Sequence, residues 1–120
     1  MKKRLFLSLA MMVMMAVNAM AQRIGDKFLY NGIQYEFYRT EVVKPLTFLY
    51  VKVIPLESGA KYKGKIEMPM YFNYNDNVFF VDSIAEECFM DCTQLTSVSM
   101  SDLIRTIPTH AFSGCSGLTS

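Results

Sequence analysis

The sequence has no Trp, and it lacks the short motifs that mark nucleotide-binding and hydrolytic sites. The patterns G-x-G-x-x-G, P-loop, H-E-x-x-H and G-x-S-x-G are all missing, so no common enzyme class is indicated. The charge is nearly balanced, with 12 Lys and Arg against 11 Asp and Glu. That balance argues against nucleic-acid binding, which needs a basic face. Because 52% of the residues are hydrophobic, an intrinsically disordered chain is also excluded.

Cysteine is scarce: the 120 residues include three, an odd number, and all lie between residues 88 and 115. A small disulfide scaffold carries four, six or eight, so the fold does not depend on a disulfide framework. Another feature must explain where the cysteines lie.

Long apolar runs are absent except near the start of the chain. Lys2-Lys3-Arg4 is followed by an apolar run over residues 5–17 and by the A-x-A signal at residues 19–21. These are the three parts of a secretory signal peptide, and the run is short for a membrane span. The alternatives are an uncleaved anchor and a buried core helix. We expect cleavage after Ala21 and export, with no transmembrane segment in the mature chain. Without residues 1–21, nine basic residues remain against eleven acidic ones.

An internal repeat explains the cysteines. Residues 81–97 align with residues 104–120 at an offset of 23, with six identities in 17 pairs. In each copy the apolar residues lie at i, i+4, i+5 and i+8, which predicts one face of a short helix. Leu95-x-x-Val98-x-Met100 then predicts a strand. We expect the repeat core to contain Ile84, Phe89, Cys92, Leu95, Val98, Ile107, Phe112, Cys115 and Leu118.

The strand also predicts a surface. Thr96, Ser97, Ser99 and Ser101 alternate with apolar residues, so we expect all four to face outward as the partner-facing surface.

The repeats resemble the BspA-like leucine-rich-repeat family. Its repeat reads roughly ItsIgxxAFxxCxxLtsVxIP, and A-F-S-G-C-S-G-L-T-S at residues 111–120 fits closely. The first copy departs from it at Cys88, where the family has a small Ala. The resemblance covers residues 81–120 and implies a bacterial surface or secreted protein used for attachment to host matrix proteins or other cells.

Residues 22–80 have β character. An Asn31-Gly32 pair and a second turn at residues 75–77 each lie between β-prone runs and predict hairpins. Residues 47–54 predict a further strand, and residues 65–69 resemble the strand that closes a repeat. A solenoid needs an atypical terminal unit, so we interpret this segment as an N-terminal β cap.

The predicted fold is therefore mainly β with short helices: a signal peptide (1–21), a β-rich cap region (22–80) and the start of a leucine-rich-repeat solenoid (81–120) with 23-residue repeats. One repeat is complete and one is truncated. Because about three repeats are needed for a stable stack, we expect the chain to be a fragment of a longer protein.

Several candidate chemical sites have simpler structural explanations. Cys88, Cys92, His110 and Cys115 could be mistaken for a zinc site, but Cys92 and Cys115 are already explained as core positions. A Cys92–Cys115 disulfide is geometrically conceivable, although two buried thiols are the expected state. Cys–His catalysis needs an exposed thiol.

Other side chains are assigned in the same way. Glu86, Glu87 and Asp91 are interpreted as a solvated face and not as a calcium site. We assign most of the seven Tyr and nine Phe to the core and to cross-strand pairs, and not to a sugar-stacking platform. We predict no catalytic residue, metal or cofactor.

The sequence thus predicts a secreted or cell-surface protein-interaction and adhesion module whose partner is a protein or cell-surface ligand. The alternative is a non-catalytic repeat scaffold within a larger exported enzyme or multidomain protein.

Overall fold

The computed structural model describes residues 23–119, which contain seven strands and no helix. In chain order the strands are β1 (Lys27–Tyr30), β2 (Ile33–Val43), β3 (Leu46–Ile54), β4 (Gly64–Glu67), β5 (Tyr71–Tyr74), β6 (Asn77–Ile84) and β7 (Leu95–Ser99). The predicted signal peptide and its cleavage point lie outside the described residues. The mainly β architecture predicted from the sequence is confirmed.

Five strands form one curled sheet in the order β1-β2-β3-β6-β5. The pairs β1–β2, β2–β3 and β5–β6 are antiparallel, whereas β6 runs parallel to β3. Both predicted hairpin turns are present. Their central residues are Asn31 and Gly32, with φ of 52° and 84°, and Asn75 and Asp76, with φ of 50° and 64°. Two successive residues with positive φ match the twist of a hairpin, which explains the Asn-rich turns.

The remaining strands, β4 and β7, pair in parallel as a second, two-stranded sheet. Because β3 also lies parallel to β6, residues 46–67 form one coil and residues 77–99 form the next, each with a strand, a run of turns and a second strand. This stacking confirms the start of a leucine-rich-repeat solenoid and the strand predicted at residues 65–69. The predicted cap region (22–80) thus contains a coil of its own. Strand β6 crosses the predicted boundary between this region and the repeats at residue 80.

The predicted short helices are replaced by successive tight turns. The amides of Cys88, Met90 and Cys92 each donate to the carbonyl three residues earlier, not four. Glu87 and Asp91 have φ of 57° and 60°, in the left-handed region that a right-handed helix cannot accommodate. The turns nevertheless place residues four apart on one side, so the spacing that predicted a helix is kept without one.

The predicted core positions differ in burial. Ile84, Phe89, Cys92 and Leu95 are buried, while half-buried Val98, Phe112, Cys115 and Leu118 pack against the core. Ile107 is 52% exposed, contrary to the prediction. Its counterpart Ile84 lies in β6 and belongs to the core, with 4% exposure.

Contacts between successive turns hold the coils together. The ring of Phe89 lies 5.0 Å from that of Tyr62 and 5.2 Å from that of Phe112, with the Phe–Phe pair stacked at 6°. The Phe89 amide donates to the Ala111 carbonyl at 2.9 Å. Gly117 permits a closer approach still, because a Cβ there would lie 2.5 Å from the Thr93 carbonyl oxygen. The three rings, with that of Tyr62 tilted by 49° to that of Phe89, link three successive turns of the chain, and we call them the aromatic stack.

Candidate functional site

The outer side of the β4–β7 sheet carries a row of polar side chains. Lys65 lies opposite Ser97, and Glu67 lies opposite Ser99, while Ile66 opposite Val98 points to the core. We call the outer set, Lys65, Glu67, Thr96, Ser97 and Ser99, the ladder face. It joins two coils in one surface.

A bulge in β7 explains how the sequence produces this face. The register shifts between Gly64, paired with Leu95, and Lys65, paired with Ser97, so Thr96 has no partner in β4. The extra residue allows Leu95 and Val98, three positions apart, to point inward together. Thr96 is exposed, and its carbonyl accepts hydrogen bonds from the amide and hydroxyl of Thr119 at 2.9 and 3.0 Å.

Ser101 does not belong to this face, contrary to the prediction. It is 4% exposed, and its hydroxyl donates to the Val81 carbonyl at 2.6 Å while accepting from the Leu103 amide at 3.1 Å. The alternation ends with β7 at Ser99, and the chain then turns inward toward β6. Ser101 is therefore a structural residue of that turn.

Lys65 and Glu67 were missed as surface residues by the sequence analysis. The signal was present, because residues 65–69 resemble the strand that closes a repeat, and equivalent strands of a solenoid lie side by side. Their Nζ and carboxylate oxygen are 3.8 Å apart, and the side chains are 67% and 70% exposed. An ion pair as exposed as this one contributes little to folding stability. Both charges are therefore accessible from the solvent.

The cysteines and the single histidine do not converge. Cys88 and Cys92 are buried, and burial raises the pKa of both thiols above the ordinary value. The Cys115 thiol donates to the Phe89 carbonyl at 3.0 Å, and all three cysteines are free. Exposed His110 pairs through Nδ1 with the Ser113 hydroxyl at 3.0 Å. A thiol whose pKa is raised by burial is a poor nucleophile.

The carboxylates considered as a calcium site lie on the solvent side of the turns. Glu86, Glu87 and Asp91 are all exposed. Within residues 23–119, no three His, Cys, Asp or Glu side chains are placed to share a metal ion.

The outer face of the five-stranded sheet carries a second polar and aromatic cluster. A bulge in β2 between Phe37 and Arg39 places Arg39 opposite Tyr50, with the guanidinium carbon 3.8 Å from the ring centroid. The same guanidinium donates to the Asp82 carboxylate at 2.5 Å and to the Tyr38 hydroxyl at 3.3 Å. The hydrogen bonds to Tyr38 and Asp82 raise the pKa of Arg39, while burial raises that of Tyr38. The cluster therefore links β2, β3 and β6 across the outer face of the sheet.

The remaining aromatic side chains mostly fill the core. Buried rings line the inside of the curled sheet: Phe28, Tyr35, Phe37, Phe72 and Phe79. Tyr35 has a buried hydroxyl with no hydrogen-bond partner among the described residues.

Comparison with known proteins supports the solenoid. The family described as BspA type leucine rich repeat region (6 copies) matches residues 71–120, which include β5, β6 and β7. The match agrees with the family that the sequence resemblance indicated. No curated protein and no solved structure matches the chain.

The family match also carries general properties. Leucine-rich-repeat domains typically bind proteins and are generally non-catalytic, and BspA-type proteins are typically bacterial and secreted or surface-located. None of the described residues belongs to a helix long and apolar enough to cross a membrane.

Proposed function

We propose that this protein is an exported, cell-surface adhesion module that binds a protein or cell-surface ligand through the ladder face. The observation that carries the proposal is the in-register pairing of β4 with β7, which aligns Lys65 with Ser97 and Glu67 with Ser99 on the solvent side. The face belongs to the repeat stack, and Lys65, Glu67, Thr96 and Ser99 on it are exposed to solvent.

The chemistry of the face suits recognition of a polar protein surface. Hydroxyl groups of Thr96 and Ser99 can donate or accept, and Lys65 and Glu67 add one charge of each sign. Because β-strands hold these groups at fixed spacing, the entropy cost of ordering them on binding is small. Solenoids use such extended surfaces for binding.

Export and a longer natural chain are parts of the same proposal. The basic, apolar and A-x-A segments of residues 1–21 support secretion with cleavage after Ala21. The half-buried Phe112 and Leu118 and the exposed Ile107 form an apolar surface that a further repeat would cover. Mass spectrometry of the secreted protein tests both points, since it reads the cleavage site and the chain length.

Binding to arrayed extracellular matrix proteins and whole bacterial cells tests the ligand proposal. We expect the full chain to capture at least one protein ligand, and Lys65→Glu and Thr96→Arg to weaken that capture at least tenfold. Lys44→Glu is the matched control, because Lys44 is exposed in the turn between β2 and β3, away from the ladder face. Equal loss in the control, or unchanged capture by both ladder-face variants, would contradict the proposal.

A further inference from the structure

The two edges of the curled sheet face each other without pairing. β1 and β5 are the end strands, and no backbone hydrogen bond joins them among residues 23–119. Their side chains meet instead: Phe28 stacks on Tyr74 at 4.3 Å, and Tyr30 stacks on Phe72 at 4.5 Å. We call this boundary the seam. The rings close it on the core side and leave the strand edges open.

The backbone of β5 has a free edge at two residues. The Val81 amide donates to the Met70 carbonyl at 2.9 Å, which fixes the alternation of hydrogen-bonded pairs along the β5–β6 register. By that alternation Phe72 and Tyr74 bond to β6, whereas the amides and carbonyls of Tyr71 and Asn73 point away from it. No described residue pairs with those four groups. An unpaired edge of this kind is a template for another strand.

An open groove of about 720 Å³ runs beside this edge. Its lining includes Tyr30, Tyr71 and Asn73 beside the seam, together with Glu67 and Ser99 of the ladder face. Glu67 is the single charged side chain among the lining residues, and it is 70% exposed. The groove therefore combines unpaired backbone groups with one negative charge, and it is continuous with the ladder face.

We propose that the groove binds an extended segment of the partner protein, which adds to the Tyr71–Asn73 edge of β5 as a sixth strand and places a Lys or Arg against Glu67. The inference rests on the proposed function and names the form of its partner. Backbone hydrogen bonds supply affinity in strand addition, and side-chain pockets supply selectivity. The single negative charge favours a basic segment over a second copy of this chain, which would bring its own Glu67 carboxylate to the same groove.

The test is titration of the isotope-labelled full chain with two capped hexapeptides, Thr-Val-Thr-Lys-Thr-Val and the same sequence with Glu for Lys. We expect the Lys peptide to shift the amide resonances of Tyr71 and Asn73 and to slow their hydrogen exchange at least tenfold. The Glu peptide should bind at least threefold more weakly. Shifts centred elsewhere on the chain would overturn the proposal.

Two variants give independent checks. Asn73→Pro removes one outward amide without touching a bond to β6, a position where an edge strand tolerates proline, and it should weaken Lys-peptide binding at least tenfold. Asn73→Ala, the matched control, keeps the amide and should bind as the parent does. If Asn73→Pro does not fold, Glu67→Lys decides the matter, because it should reverse the preference between the two peptides.

The outcomes separate this inference from the proposed function. If Lys65→Glu abolishes partner capture while Asn73→Pro leaves both capture and peptide binding unchanged, the ladder face binds and the strand-addition site is refuted. Sedimentation that shows dimers dissociated by Asn73→Pro would assign the edge to a second copy and would equally overturn the proposal.

Discussion

Truncation of Phe89 to Ala should be among the most destabilising single changes in this protein. The side chain is 0% exposed, and it lies between the rings of Tyr62 and Phe112 at the centre of the aromatic stack. Removing a buried Phe side chain costs about 3–5 kcal/mol, because the lost contacts leave a cavity. A domain of this size has about 5–15 kcal/mol of total stability, so the variant should be marginal.

The position of the ring in the stack predicts a graded series. Phe112 contacts Phe89 on one side and is half-buried, so Phe112→Ala should cost about 1.5–2.5 kcal/mol, roughly half the value for the enclosed ring. The double variant should reveal a coupling of about 0.5–1.5 kcal/mol, the value of an aromatic pair beyond its buried area. Val43→Ala is the control, because Val43 is 55% exposed and its loss should change stability by less than about 0.5 kcal/mol.

Urea unfolding followed by far-ultraviolet circular dichroism measures the series. With a slope of about 1–1.5 kcal/mol/M, the midpoint for Phe89→Ala should fall by about 2 M or more at unchanged slope. A cost of less than about 1 kcal/mol for Phe89→Ala, or an equal cost at Phe112, would refute the idea that stacked rings join the coils.

Three further changes have defined outcomes. Ser101→Ala removes a buried hydroxyl from the Val81 carbonyl and should cost about 1–2 kcal/mol in urea unfolding, while equal stability would show that the bond is dispensable. Gly117→Ala places a Cβ against a carbonyl of the preceding coil, which should cost about 1–3 kcal/mol of folding stability and lower the melting temperature. An unchanged melting curve would contradict this expectation. Burial raises the pKa of Tyr35 and Tyr62 above the ordinary 10.0, so the unfolded chain releases these protons first. Stability should therefore be at its full value below about pH 10 and fall above it, and equal urea midpoints at about pH 8 and pH 11 would exclude this effect.

Local sequence signals predicted the local structure well. Asn31-Gly32 and Asn75-Asp76 specify their hairpins because both central residues of each turn need positive φ, which Asn, Asp and Gly tolerate. The closing strand at residues 65–69 was predicted because its side chains follow the pattern of β7. These signals depend on a few neighbouring residues and do not require knowledge of the tertiary fold.

The errors arise where periodicity is ambiguous or contacts are distant. The i, i+4 spacing of Cys88 and Cys92 suits both a helix and successive tight turns, and the left-handed Glu87 and Asp91 that decide between them are not specified by residue type. Ser101 continues the alternation of β7 in sequence, but the strand has already ended.

The parallel pairing of β3 with β6 was not predicted either. Each strand has an adequate hairpin partner nearby, so no local signal requires the distant one. The consequence was that a whole coil of the stack was interpreted only as part of a cap.

The ladder face exists only if β4 lies in register beside β7, and a cysteine cross-link measures that register directly. In the double variant Glu67→Cys, Ser99→Cys the two residues are opposed on one face. Parallel neighbours lie about 4.8 Å apart, which is within the range of about 4.4–6.8 Å that a disulfide spans. We predict rapid oxidation to a 67–99 disulfide, read by peptide mapping, and little cross-linking in the out-of-register pair Glu67→Cys, Thr96→Cys. No 67–99 bond, or equal cross-linking in both pairs, would contradict the ladder face and the binding function assigned to it.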